Sequence, residues 1–271
     1  MSDLLTLSDI TLSFRGLTAI SDVSFGLPEG QVAALIGPNG AGKTSLFNVI
    51  CGFYKPQQGT VYWRGKPITG MAPHMVARAG IGRSFQNIEL FKTLTCLDNL
   101  LLGRHLHVKS NLFGAMLSTR SWVRDEVAQR RKAEELMDLL DLQAYRDMPV
   151  GALPYGVQKL IEVARALAAE PTLLLLDEPA AGMTVEEKDD MMVTLLRLRT
   201  ELKLTMLVVE HDLRVVSRLA ERVLVLDHGT LIADGAPSEV QDDPAVIRAY
   251  LGSTRLAADS PKPAPAAEAP Q

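Results

Sequence analysis

The sequence predicts an α/β fold on a mainly parallel sheet, and three observations predict it. Short apolar runs alternate with helical stretches, one such run closes on a glycine-rich loop, and another, of four leucines, closes on two acids. Strands covered by helices on both faces read as continuous apolar runs. Strand–helix alternation is the order that crossover connections of a parallel sheet require.

In chain order, "LLTLSDITLSF" (4–14) alternates apolar and polar residues and reads as a strand. "QVAALIG" (31–37) is a buried strand ending in glycine, and "GTVYWRG" (59–65) is a strand between glycines. "APHMVARAG" (72–80) reads as a helix stopped at Gly80. The stretch 88–158 changes character, and within it "RDEVAQRRKAEELMDLLDL" (124–142) is a charged amphipathic helix with a solvated face. Alternation then resumes. "TLLLLDEP" is a buried strand, 186–201 a helix, "TMLVVEH" a strand, 213–220 a helix, and "RVLVLDHGTLIADG" a hairpin turning at His228-Gly229. "DPAVIRAYLG" is a short closing helix, and 253–271, rich in Ala and Pro, reads as a disordered tail.

At 271 residues and 47% hydrophobic, the chain is long enough for one large domain with a sub-domain. A net charge of −4 argues against a protein built to coat nucleic acid, so no nucleic-acid partner is expected. Cys51 and Cys96 lack metal-ligand spacing and are expected as packed, reduced thiols of a cytosolic chain. No apolar run approaches the ~18 residues that a membrane span needs. The opening "MSDLLTLSD" lacks a basic segment ahead of an apolar one and does not read as a secretory signal.

"GPNGAGKT" (37–44) fits G-x-x-x-x-G-K-[ST] between a strand and the helical "TSLFNVICG". Glycines let the loop wrap tightly, so that backbone N–H groups of residues 40–44 converge on phosphate oxygens at a helix N-terminus. The cradle comprises Gly37, Pro38, Asn39, Gly40, Ala41, Gly42, Lys43, Thr44 and Ser45. Lys43 reaches the β- and γ-phosphates, and the Thr44 hydroxyl ligates Mg²⁺. Asp177 and Glu178 end a buried strand at the carboxyl edge of the sheet, where ligands bind in open α/β folds. Asp177 is expected to hold Mg²⁺ through water and Glu178 to polarise the attacking water. His211 ends a neighbouring strand and can hydrogen-bond the γ-phosphate and that water. The remaining histidines, His74, His105, His107 and His228, read as surface residues.

In this order, the pieces resemble the ATP-binding subunits of ABC transporters over residues 4–252. The resemblance implies a P-loop NTPase (RecA-like) core, about 1–87 and 159–252, with an N-terminal antiparallel β subdomain and an inserted helical subdomain, about 88–158. It implies that Phe14 stacks on adenine with Val23 lining the other side, and that Gln86 in "RSFQNIELF" senses Mg²⁺ and the γ-phosphate. It implies ATP and Mg²⁺ as cofactors, and integral membrane permease subunits as partners on the cytoplasmic side of the inner membrane. Four features, "FQNIELFKTLTCLDNLLLGRH", the extra segment 105–130, "EPAAGM" and "VIRAYLG", look most like the ATPase subunits of branched-chain (hydrophobic) amino-acid importers. These work with a second ATPase subunit and, indirectly, a solute-binding protein. Lipopolysaccharide-export ATPases share a similar ending and are the alternative. A soluble ABC ATPase of repair or translation fits less well, because the chain has one cassette and no heptad run.

In this family each ATP lies between the cradle of one subunit and a Leu-Ser-Gly-Gly-Gln helix start of the other. Here that segment is Leu153, Pro154, Tyr155, Gly156, Val157 and Gln158. Pro154 suits a first helical turn but supplies neither hydroxyl nor N–H. The resemblance therefore implies unequal sites in a pair of different ATPase subunits, a homodimer being the other arrangement. A second departure, Thr184-Val185 where Asp or Asn followed by Pro is common, falls in a turn that touches the opposite subunit.

Overall fold

The computed structural model describes residues 3–84, 88–107 and 120–250. Two sheets organise it. The first, antiparallel, has the order β2-β1-β4-β5: β1 is Asp3–Phe14, β2 Leu17–Pro28, β4 Gln58–Trp63 and β5 Lys66–Pro67. The second has the order β10-β9-β3-β8-β7-β6, formed by β3 (Val32–Ile36), β6 (Ile81–Arg83), β7 (Leu173–Asp177), β8 (Thr205–Val209), β9 (Arg222–Asp227) and β10 (Thr230–Gly235). Strand β10 runs antiparallel to β9 and the other pairings of this sheet are parallel. Strands β3, β7 and β8 are buried along their whole lengths, as their unbroken apolar runs require.

Among the described residues, eight α-helices surround the sheets ahead of the closing stretch 244–250. They are α1 (Lys43–Ile50), α2 (Pro73–Arg78), α3 (Cys96–Gly103), α4 (Arg120–Leu139), α5 (Tyr155–Leu167), α6 (Val185–Leu202), α7 (Leu213–Leu219) and α8 (Pro237–Gln241). Residues 244–250 are also helical, where the sequence predicts a closing helix. One apolar cluster joins the antiparallel sheet to α1 and one face of the parallel sheet. A second joins the other face to α3, α4, α5 and α6, and a third lies under α7 and α8. Among the described residues no helix is long and apolar enough to cross a membrane.

Helix α4 ends before the expected 142, because Asp141 adopts φ 56°, a left-handed conformation that stops a helix. Cys51 and Cys96 are free and buried. His107 is not a surface residue: it is half-buried, its Nε2 2.9 Å from the Ala169 carbonyl.

Candidate functional site

Strands β3, β7 and β8 are neighbours, so their carboxyl ends open on one edge of the sheet. The loop after β3 feeds α1 through Gly42, which sits at φ 105° where any Cβ would lie 2.5 Å from the Ala19 carbonyl. Gly37 is likewise obligatory, since its Cβ would lie 2.0 Å from the Leu226 carbonyl. The glycines thus serve close backbone approach as well as turning. Helix α1 begins with no side-chain cap, so the N–H groups of its first turn lack an acceptor within the helix.

A pocket of ≈ 390 Å³ opens over this turn, walled by Asn39, Gly40, Ala41, Gly42, Lys43, Thr44 and Ser45, and on its other sides by the start of β2 and by His228. Lys43 is buried, and its Nζ donates to the carbonyls of Gly37 at 2.6 Å and Pro38 at 3.0 Å. Burial pulls the lysine pKa below its ordinary value, against the field of Glu178 and Asp177. Its ammonium is therefore held in the loop by carbonyls that a phosphate would replace.

Asp177 is the last residue of β7 and is 2% exposed. Its Oδ2 accepts from Arg83 Nη2 at 3.1 Å. Burial nevertheless raises its pKa, with Arg83 opposing. Glu178 follows at φ 51°, tied to β8 by its N–H donating to the Val209 carbonyl at 3.0 Å. Beyond β8, Glu210 is buried and accepts from the N–H groups of Ala180 and His211, each at 3.3 Å. It links the end of β8 to the turn after Glu178, and burial raises its pKa. The His211 side chain is exposed on this edge.

Phe14 pairs with Leu17 across the β1–β2 hairpin, is 41% exposed, and meets Tyr54 edge-on with centroids 5.1 Å apart. Val23 is corrected: it is wholly buried in the first apolar cluster and does not wall the pocket over the cradle. Leu17, Thr18 and Ala19 supply that wall instead. Asp22 is the reason. Its φ of 51° breaks the alternation of β2 after the buried Ile20, and turns Val23, Phe25 and Leu27 inward. Gln86 lies outside the described residues.

Residues 153–158 do not line the pocket over the cradle. Pro154 stands just before α5 rather than within its first turn, at φ −56° and ψ 150°, with no side-chain cap. Proline's fixed φ suits either place, so the sequence alone leaves the start ambiguous by one residue. Leu153 is buried and Val157 packs on the second apolar cluster, so their side chains serve the core. The Gln158 Nε2 donates to the Leu153 carbonyl at 2.8 Å, within its own chain. Tyr155 is exposed, with its ring beside Gly182, and Gly156 lies against the Glu187 carboxylate. Thr184 caps α6 in a reciprocal box. Its Oγ1 accepts from Glu187 N–H at 3.2 Å, and its N–H donates to Glu187 Oε2 at 2.9 Å. Thr serves that cap as Asp or Asn would, which accounts for the departure at this turn.

Three site residues escape the sequence reading. Arg83 and Glu210 are charged residues at the ends of apolar strands, a signal present in "GIGRSFQ" and "VVEH". His228 is fully exposed in kind yet walls the pocket, because its hairpin is pinned there. Gly229 N–H donates to the Ala41 carbonyl at 2.9 Å, and Ser21 N–H to the Gly229 carbonyl at 2.8 Å.

The comparisons with known proteins place the chain in a family. The ABC transporter family model matches residues 20–181, and a model for branched-chain amino acid ATP-binding cassette transporters matches 230–254. The chain is 39% identical over 249 residues to the high-affinity branched-chain amino acid transport ATP-binding protein BraF of Pseudomonas aeruginosa (strain PAO1), covering 92% of this chain and 98% of that one. It is 36% identical, with the same coverage, to the corresponding protein LivG of Escherichia coli (strain K12). Among solved structures, the ADP conformation of MJ1267, an ATP-binding cassette of an ABC transporter, superposes with a TM-score of 0.82 at 32% identity, covering 93% of this chain and 100% of that one. The chain belongs to the ATP-binding cassette family of ABC transporters.

Proposed function

We propose that this chain binds ATP with Mg²⁺ on its cradle and hydrolyses it as one of two ATPase subunits energising import of branched-chain or other hydrophobic amino acids. One observation carries the two-subunit reading: cradle, acids and His211 share one sheet edge, while the helix start at 154–156 stands apart from it, against Gly182 and Glu187. A second subunit must bring its own helix start to this cradle, and 154–156 must serve the other site. The match of the C-terminal segment to branched-chain amino acid cassettes supports import over the lipopolysaccharide-export alternative.

Each residue's task follows from its place. Lys43 leaves the loop carbonyls for phosphate oxygens, and the first turn of α1 directs N–H groups at them. The Thr44 hydroxyl and Asp177 carboxylate are oxygen donors of the hard kind that Mg²⁺ takes, so the residues present fit that ion, with Gln86 as a further ligand. When bound, the ion neutralises phosphate charge. Glu178 orients the attacking water and accepts its proton, and His211 holds the γ-phosphate side.

A groove of ≈ 340 Å³ between the core and the helical region is lined by Cys51, Phe53, Val76, Leu102, Leu106 and Arg165. Phe53 and Leu102 are exposed there. We place the permease contact at this groove, with 88–158 moving against the core as ATP closes the dimer. The chain thereby sits on the cytoplasmic face of the inner membrane through its permease subunits, which a solute-binding protein supplies.

The test is uptake into membrane vesicles carrying the chain with its permease subunits and second ATPase. Labelled leucine, isoleucine or valine should enter on ATP addition with the wild type and not with Lys43→Ala. ATP hydrolysis stimulated by the permease with no uptake of any of the three would overturn the solute class.

A further inference from the structure

We infer that Arg83 is a positioning residue for Asp177, and that it is the part through which occupancy of the groove reaches the metal ligand. Arg83 closes β6, a three-residue edge strand hydrogen-bonded to β7. Its guanidinium is tied on several sides. Nη2 donates to Asp177 Oδ2 at 3.1 Å, Nη1 donates to Asn48 Oδ1 at 2.6 Å, and the guanidinium carbon stands 5.6 Å from the Phe47 ring centroid. Asn48 and Phe47 belong to α1, the helix whose start carries Lys43 and Thr44.

The pair is buried, at 8% and 2% side-chain exposure for Arg83 and Asp177. In such surroundings the guanidinium is a charged partner held close to the carboxylate, so Arg83 sets how the carboxylate is turned. Arg83 also lines the groove, beside Cys51, Ile81, Gly82 and Arg165. One side chain therefore touches the space that a partner would fill and the carboxylate that would hold Mg²⁺. It stands three positions before Gln86. A lysine could keep the charge but not the planar fork that grips Asn48 and Asp177 together.

The groove half of this inference rests on the docking reading above; the positioning half needs only nucleotide binding. The experiment measures the affinity of the full-length chain for a fluorescent ATP analogue with Mg²⁺ and with EDTA. The wild type reads out the nucleotide site itself: if it binds in neither condition, the nucleotide reading fails before any variant is tested. With binding present, Arg83→Lys should lower the Mg²⁺-dependent gain in affinity roughly tenfold, leaving the EDTA value within about twofold. Loss of both affinities in proportion, or of neither, would reduce Arg83 to a structural ion pair. Should Arg83→Lys fold poorly, Arg83→Gln is added to Asp177→Asn, which removes both buried charges. The ratio should then equal that of Asp177→Asn alone, and a further drop would overturn action through Asp177. Ala77→Trp fills the groove from α2. It should shift the same ratio in the wild type and add nothing to Arg83→Lys; an undiminished shift in the double variant would sink the groove link.

Discussion

Residues 37–45 and 153–158 both lead into a helix, α1 and α5, and neither helix has a side-chain cap. Around the first, three strand ends of the same chain bring Lys43, Asp177, Glu178 and His211 together. Around the second stand the turn at Gly182 and the start of α6, with Tyr155 and Pro154 exposed. On the function proposed above, the first is a site in its own right, and the second completes a site on another subunit. Substitutions at the cradle should therefore show in the isolated chain. Those at 154–156 should show chiefly in the assembled pair, which gives the comparison its tests.

The largest effect is expected at Glu178. Glu178→Gln should cut hydrolysis by at least roughly a hundredfold, the scale of a positioned general base, and leave ATP binding within a few-fold. With the companion ATPase present, the variant should hold a nucleotide-loaded dimer through size-exclusion chromatography. A chain that hydrolyses ATP normally with Gln at 178 would move the base elsewhere, Glu210 being another carboxylate on the same edge.

Next comes Pro154→Ser. Serine restores both a hydroxyl and an N–H, and a charge-assisted hydrogen bond regained at a phosphate is worth roughly tenfold or more in rate. That gain should appear in permease-coupled ATPase of the assembled pair, at the site whose cradle belongs to the companion. In the isolated chain the same hydroxyl is free to cap α5, raising stability by about 1 kcal/mol in thermal unfolding. Unchanged coupled activity would mean that the two sites are not made unequal by Pro154.

His228 probes the cradle side at smaller scale. It sits at φ 44°, a conformation that glycine adopts without strain, so His228→Gly removes the side chain and spares the turn. If the imidazole gives bound ATP one hydrogen bond, its removal predicts roughly threefold weaker ATP binding with an unchanged melting temperature. Gly229→Ala should do more, because its Cβ would lie 2.7 Å from the Ala19 carbonyl and would push the hairpin off the cradle.

What the sequence made legible follows the same division. The cradle and the Asp177-Glu178 pair are local: a motif of eight residues and a strand end carry their own geometry, so the residues alone point to the chemistry. Strand β2 is not legible in this way, since its register shifts and the left-handed Asp22 destroy the period of two on which alternation rests. Val23 was placed by the resemblance alone, and the left-handed Asp22 turns it to the core instead. Strand β6 is too short to register, and the contact of Arg83 with Asp177 joins residues 94 apart, which no local pattern encodes. At 153–158 the residues mark a helix start but not which side chains turn to the core; Leu153 and Val157 were settled by packing.

The smallest effect concerns the junction between the two regions. Asp212 follows His211 and caps α7 by accepting from the Arg214 N–H at 3.1 Å. It also accepts from Lys188 Nζ at 3.2 Å, on the helix that begins at the Thr184 turn. Burial works against ionisation, but the bonds from Arg214 and Lys188 outweigh it and hold the Asp212 pKa at about 2. The folded value lies below the unfolded one of about 3.9, so the stabilisation is present at neutral pH and is lost as pH falls from about 4 toward 2. Asp212→Asn keeps a capping oxygen and removes the charge. Its stability deficit against the wild type, about 1 kcal/mol or less for a partly exposed pair, should therefore shrink across that interval in urea unfolding. Asp212→Ala loses the cap as well, and its deficit should stay larger than that of Asp212→Asn at every pH. If the two variants were equal, the cap would contribute nothing, and the charge alone would join the end of β8 to α6.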